Sequence, residues 1–249
     1  MRCKWSPETG PEAVALSNRD GGLGQVRLDT SVPEYLTAHY WWAYIHPIAV
    51  KLFERGWLVN FILCGNYKRL RDAALSELGE RLPGMTLQVA CVYGDLTNYL
   101  SQRAAKGGGS IDVVDVLPIQ LQNLFSKLPP AAPARLLAMD AGHLKLPDAI
   151  YDRALVFFLL HEQPREWRER TLEEVLRVVK PRGKIIIVDY ARPYWWHPLR
   201  YLFPLLFALF EPFAIDLWRE EITSWLPELY GSRKRLFFGG LYQLVISRR

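Results

Sequence analysis

From about residue 84 to residue 190 the chain alternates between two hydrophobic rhythms. Short, nearly continuous apolar runs (TLQVACV, IDVVDVL, ARLLAM, YDRALVFFLL and GKIIIVDY) are separated by stretches whose apolar residues recur at helical spacing, such as TNYLSQRAAK, PIQLQNLFSKL and REWRERTLEEVLRVV. The runs predict strands buried on both faces, and the spaced stretches predict helices. Gly107–Gly109 stop the first helix, Pro118 suits the opening turn of the second, and Pro181–Gly183 turns the chain into the fifth strand. This alternation predicts an α/β fold with a parallel sheet. RLFF, Gly239–Gly240 and LYQLVIS predict a closing antiparallel hairpin, bringing the sheet to seven strands with the last antiparallel.

The flanks read differently. Residues 1–24 hold several Gly and Pro and no periodic pattern, which predicts a mobile tail before a single domain over 25–249. Residues 33–80 are aromatic and helically spaced, and predict a helical cap whose last helix ends at Gly79. Residues 191–234 form an insertion much longer than an ordinary α/β connection. Its apolar run Tyr201–Phe210 is too short to span a bilayer, which takes about 20 residues. Trp, Tyr and Phe crowd there beside Arg192, His197 and Arg200, the composition of an interfacial helix, so the segment is expected to be a membrane-facing lid. His46 and His197 each precede a proline in an aromatic stretch, and are candidates to line an entrance.

Charge and cysteine content narrow the classes. The net charge of +5 and pI near 9.1 come from basic residues scattered among acids, with no basic stripe. That argues against nucleic acid as a partner and leaves an anionic membrane surface open. Cys3, Cys64 and Cys91 show no paired spacing, so neither a disulfide framework nor a zinc knuckle is expected, and a reducing compartment is the simplest setting. No apolar signal core marks the first residues.

In an open α/β sheet, ligands bind beyond the carboxyl ends of the strands. After the first strand comes Ala90, Cys91, Val92, Gly94 and Asp95. Asp115 and Val116 end the second, at a spacing from the Gly94 turn that suits a carboxylate accepting from two ribose hydroxyls. Asp140 and Ala141 follow the third, His161 and Glu162 the fourth, and Asp189 and Tyr190 close the fifth. Glu162 is by default a solvated loop acid. VYGDLT lacks the G-x-G-x-x-G spacing of a nicotinamide dinucleotide site.

Together QVACVYGDLT, VVDVLPIQL, LLAMDAGHLKLPDAIYDRALVFFLLHEQP and LRVVKPRGKIIIVDYARP resemble the class I S-adenosylmethionine (SAM)-dependent methyltransferases, whose sheet is Rossmann-like. The resemblance implies SAM as cofactor. It places the glycine turn at Gly94, the ribose acid at Asp115 and the adenine-side acid at Asp140, with Gln88, Ala90, Cys91, Val92, Asp95, Val116 and Ala141 around them. The chain departs from the pattern at Gln88, where an acid is usual, and at Val92, where a second glycine is usual. The stretches YIHPIAVKLFER, LLHEQP, WWHPLRYL and WREEITSWLP narrow the resemblance to the rhodoquinone-biosynthesis family. That resemblance implies exchange of a ubiquinone methoxy group for an amino group, with SAM as amino donor and manganese assisting. It also implies a cytoplasmic enzyme peripheral to the inner membrane, or to the mitochondrial inner membrane in a eukaryote. His161, Asp189 and Tyr190 are then the catalytic candidates, and His161 with Asp189 the candidate metal ligands. An ordinary methyltransferase for a quinone or phospholipid, and a non-catalytic lipid-binding subunit of the same fold, are the alternatives.

Overall fold

The computed structural model describes residues 15–17, 33–39, 56–225 and 230–249. His46 and most of residues 1–32 lie outside them. Within the expected N-terminal tail, however, Ala15–Ser17 forms a strand, β1, pairing antiparallel with β4 from Ala15 opposite Leu137 to Ser17 opposite Arg135. The three residues are uncharged and meet an otherwise unpaired sheet edge, which is why an aperiodic segment still acquires structure. Helices α1 (Glu34–His39), α2 (Gly56–Ile62) and α3 (Tyr67–Leu78) follow, the last closing at Gly79 as the spacing predicts.

The α/β body runs β2 (Met85–Val89), α4 (Leu96–Gly107), β3 (Ser110–Asp115), α5 (Pro118–Lys127), β4 (Ala134–Ala138), β5 (Tyr151–Phe157), α6 (Arg165–Val178) and β6 (Val179–Tyr190). The insertion contributes α7 (Leu199–Phe210) and the short α8 (Asp216–Arg219), and β7 (Tyr230–Phe237) with β8 (Tyr242–Arg248) close the sheet. The insertion is thus shorter than 191–234, because β7 begins at Tyr230.

Among the described residues the sheet has eight strands in the order β1-β4-β3-β2-β5-β6-β8-β7. That is the seven expected, with the antiparallel hairpin at one end and β1 added at the other. β4, β3, β2, β5 and β6 are mutually parallel, and β2 is the switch point, with β3 on one side and β5 on the other. Their runs are apolar because both faces are covered: Leu87, Val89, Ile111, Val113, Leu155, Val156, Ile186 and Val188 are all buried. The Pro181–Gly183 turn lies inside β6 rather than before it. Pairing with β5 jumps from Val179 to Lys184, and Arg182 adopts a φ of +65°.

Arg168 fastens the insertion to this body. Its fully buried guanidinium donates to the carbonyls of Leu160 and Phe213 and pairs with Asp216, joining the segment after β5 to the segment after α7.

Candidate active site

The carboxyl ends of β2 to β6 open into one cleft of about 1320 Å3, mouth included. Tyr35, Ile62 and Tyr67 of the N-terminal helices and Glu211 after α7 close its sides.

The loop after β2 forms one wall. Ala90 sits at φ +70°, a left-handed conformation costly for a residue with a Cβ. Gln88 holds it there: its Nε2 donates to the Ala90 carbonyl at 3.0 Å, and its Oε1 accepts from the Thr97 hydroxyl at 3.0 Å. A carboxylate at this position has no proton to donate to that carbonyl, so the amide has a structural reason. Gln88 is fully buried and does not face the cleft, contrary to its place among the expected cofactor contacts.

Gly94 and Asp95 also point elsewhere. The Tyr67 hydroxyl accepts from the backbone N–H of Asp95 and Leu96 and donates to the Asp95 carboxylate, so a side chain from α3 caps α4. Arg71 then pairs with Asp95 at 2.6 Å. Gly94 takes a φ of +94°, and a Cβ there would lie 2.6 Å from the Tyr67 oxygen. Its need for glycine is therefore set by Tyr67 and by backbone conformation. Gly94→Ala is expected to lose about 1–3 kcal/mol of stability, read from denaturant unfolding.

Ala90, Cys91, Val92, Asp115, Val116, Asp140 and Ala141 all line the cleft. Asp115 accepts the Cys91 N–H on one carboxyl oxygen at 2.7 Å and the Leu117 N–H on the other at 2.8 Å. The Cys91 thiol is a further, weak donor to this carboxyl, and by turning away it would free the acceptor sites that two neighbouring hydroxyls need. Burial pushes this carboxyl up to about 6, against the pull of the Leu117 and Cys91 N–H groups and the Cys91 thiol. Asp140 accepts the Gly142 N–H at 2.8 Å and is likewise raised by burial. Val116 and Ala141, beside the two acids, add apolar wall suited to a flat base.

Across the switch point, beyond β5 and β6, lies a buried histidine–aspartate pair. His161 lies in a short 3-10 turn after β5, next to Phe158, which is held at φ +52°. Its Nδ1 is 2.9 Å from the Asp189 carboxylate at the end of β6. Asp189 accepts only, so Nδ1 carries the proton and Nε2 faces Glu162 at 3.7 Å and Glu211 at 3.9 Å. Burial depresses the basicity of His161, but Asp189, Glu211 and Glu162 together outweigh it and raise the ring to about 9. Tyr190 packs its ring edge-on to His161 at 4.9 Å, and burial lifts its hydroxyl well above the ordinary value, so it positions His161 as a phenol.

The expected manganese pair does not fit. Asp189 is fully buried, and its oxygens already accept from the N–H groups of Leu160, His161 and Tyr190 as well as from the ring. Among the described residues no group of three or more His, Cys, Asp or Glu is placed to hold a metal ion. Glu162, expected as a solvated acid, is buried in the cleft wall. Glu211 and Tyr67 went unnoticed in the sequence. An acid between Phe210 and Pro212 in an apolar insertion was a usable signal for Glu211; Tyr67 offered none.

The methyltransferase-domain family matches residues 86–183, from β2 to the turn in β6. A SAM-dependent methyltransferase from Aquifex aeolicus superposes with a TM-score of 0.53 at 18% identity, over 82% of this chain and 98% of that one. Residues 86–183 thus match a methyltransferase domain, and the chain shares the fold of SAM-dependent methyltransferases. Phosphoethanolamine N-methyltransferase 2 of Haemonchus contortus shares the methyltransferase fold at a TM-score of 0.63 and 11% identity, over 90% of this chain and 62% of that one. In sequence this methyltransferase-fold chain is 30% identical to the ubiquinone/menaquinone biosynthesis C-methyltransferase of Azotobacter vinelandii, over 66% of the chain. The match spans 63% of that relative, less than two thirds of its length. An uncharacterized methyltransferase of Synechocystis is 27% identical, over 83% of this chain and 94% of that one.

Proposed function

We propose that the protein binds SAM along the β2–β4 wall and transfers a group from it to a quinone-type ring held against His161. The observation that carries this reading is the division of the cleft. Asp115 and Asp140 offer acceptors at one end, while the His161–Asp189 dyad stands at the other among Phe158, Tyr190 and Glu211. The match of residues 86–183 to a methyltransferase domain and the names of the relatives, which include quinone C-methyltransferases, support both the cofactor and the acceptor class.

SAM, when bound, supplies the transferable group. The residues of the chain supply orientation and proton management. Asp115 and Asp140 would hold the ribose and adenine ends, and Val92 narrows the wall where the methionine end would lie. At neutral pH the dyad presents a protonated Nε2 to the acceptor, because its carboxylate neighbours hold the ring near 9. A protonated donor suits a quinone carbonyl gaining negative charge as a nitrogen nucleophile adds to the ring, and it can protonate the departing methoxide while the nitrogen gives up a proton in return. The amino group would then pass to the quinone by a redox-neutral elimination, the Cα–N bond breaking as the neutral His161 ring takes a proton from the neighbouring carbon and the nitrogen is protonated. The protonated donor favours the finer reading, replacement of a ubiquinone methoxy group by an amino group to give rhodoquinone. Val92, a side chain on the cofactor wall where glycine is usual, also favours it. Transfer of a methyl group to a quinol is the second reading, favoured by the relatives. There the neutral ring takes the proton of a phenol.

One experiment separates them. The purified protein is given a short-tailed ubiquinone or its quinol and SAM labelled with heavy nitrogen in its amino group and heavy carbon in its methyl. Heavy nitrogen in the quinone is the expected result. Heavy carbon would establish methyl transfer, and a quinone without either label would sink both readings.

A further inference from the structure

We infer that α2, α7 and the Tyr194–Trp196 turn form a face that docks on the surface of a lipid bilayer and sets the cleft mouth against it. The inference deepens the proposed function by naming where a lipophilic acceptor enters, and rests on that reading for this point alone.

Helix α7 turns Phe203 and Phe207 inward, where they pack on Tyr190 and Trp218. Its outer face carries Tyr201, Leu202, Leu205, Leu209 and Phe210, between 47% and 73% exposed. Trp195, at 76%, and Trp196, at 57%, stand just ahead of it. Helix α2, which lines the same cleft through Val59 and Ile62, exposes Trp57 at 63% and Phe61 at 75%. A helix whose solvent face is as apolar as its core face needs a partner.

The arrangement of residue types selects the partner. Tyr194, Trp195, Trp196 and Tyr201 gather at the N-terminal end of α7, with exposed Arg192 and half-buried Arg200 beside them. Leucines and Phe210 fill the other end. Trp and Tyr favour the headgroup level, arginine complements lipid phosphates, and the aliphatic residues favour the acyl layer below. A contact with a second copy of the chain needs no such gradient. The net charge of +5 is complementary to an anionic surface. The twelve residues of α7 measure about 18 Å, well short of the roughly 30 Å hydrocarbon core, so the helix dips from the headgroup level into one leaflet without crossing the bilayer. No helix among the described residues is long and apolar enough to cross a membrane.

The face is also continuous with the site. Exposed Ile62 at the end of α2 lines the cleft, and Glu211 lines it immediately after exposed Phe210. The mouth therefore opens inside the apolar rim, and an acceptor with a long apolar tail passes from bilayer to cleft without crossing water.

Flotation with vesicles tests this. The full chain is mixed with vesicles of phosphatidylcholine alone, or of phosphatidylcholine with phosphatidylglycerol, at low and high salt. Wild type is expected to float with the anionic vesicles, less so at high salt, with its tryptophan emission shifted to the blue. The variant combining Trp195→Ser, Leu205→Gln and Leu209→Gln should bind at least about tenfold more weakly, because binding scales with buried apolar area. Phe61→Ser on α2 should weaken binding as well. All of these side chains are exposed and none lines the cleft, so folding and turnover of a tail-less quinone should not change. A wild type that stays down with both vesicles, or a triple variant that floats as well as wild type, overturns the inference. If sedimentation then shows the triple variant turning a dimer into a monomer, the face joins two copies instead. Flotation needs no turnover, so a protein that floats yet transfers nothing leaves the docking face standing and removes only the proposed reaction.

Discussion

Asp189→Asn is expected to lower turnover about 10²–10⁴-fold, the range contributed by a positioned proton-transfer group. The substitution is nearly isosteric, but the site is built for four donors. One carboxyl oxygen accepts from the N–H groups of Leu160 and His161, and the other from Tyr190 N–H at 2.8 Å and from His161 Nδ1. An amide satisfies the first pair with its oxygen and then aims its NH2 at the second. Tyr190 N–H loses its acceptor, at a cost of about 1–3 kcal/mol. His161 must turn Nδ1 into an acceptor, which moves its proton to Nε2 and removes the neutral ring as a base. With Asp189 uncharged and the burial unchanged, the ring should titrate well below its native value of about 9. An NMR titration of the His161 ring would show this directly; a value that stays near 9 with undiminished turnover would remove the dyad from the mechanism. The same ionisation should appear in kcat/KM of the wild type. Activity falling above pH 9 marks His161 as the donor, and activity rising toward pH 9 marks it as the base. Stability follows the same group. A histidine raised from 6.5 contributes stabilisation that is fully present below 6.5 and is lost as pH rises through about 9. Thermal unfolding of the wild type should therefore weaken across that window, and the Asn variant should show less of this loss.

Much of this architecture is written in the local pattern. The five parallel strands and their helices follow from apolar runs and Gly or Pro stops, because each decision depends on neighbours in sequence. The placement of Asp115, Asp140, His161 and Asp189 at strand ends follows from the same reading, since a parallel sheet gathers all its carboxyl ends on one edge. What sequence spacing does not encode is where each side chain turns. Gln88 reads as a lost acid in a cofactor loop, and only the fold brings its amide between the Ala90 carbonyl and the Thr97 hydroxyl. Gly94 reads as a ligand-facing glycine, whereas its neighbour is Tyr67, 27 positions earlier on α3. His161 and Asp189 look like two metal ligands on adjacent strands. Their backbone surroundings supply so many N–H donors that the carboxylate is used within the protein. β1 was invisible because its three residues gain structure only from the β4 edge they meet.

Asp115→Ala should weaken binding of S-adenosylhomocysteine about 10²–10⁴-fold by calorimetry. Two hydroxyl hydrogen bonds to a charged acceptor are worth about 1.5–3 kcal/mol each, and each 1.4 kcal/mol is a factor of ten. The loss reaches beyond the ligand. Cys91 N–H and Leu117 N–H lose their acceptor together, and they anchor the two loops that line the cleft on either side of Asp115. The neighbouring Ala90 is already held in a strained conformation, so the loop has little reserve with which to compensate. Asp115→Asn keeps one acceptor oxygen and should fall between the two. The acid adds a pH signature that a merely structural residue lacks. Its carboxyl is raised from 3.8 to about 6, so part of it is protonated just below neutrality. Hydroxyl donors favour the ionised form, so bound nucleoside should draw this value down. Wild-type affinity should accordingly fall as pH drops through about 6, while the Asn variant stays level across the same range. Equal pH dependence in both proteins would place the nucleoside somewhere other than against Asp115. The SAM end of the cleft would then have to be reassigned, even if the labelled quinone had already shown which group is transferred.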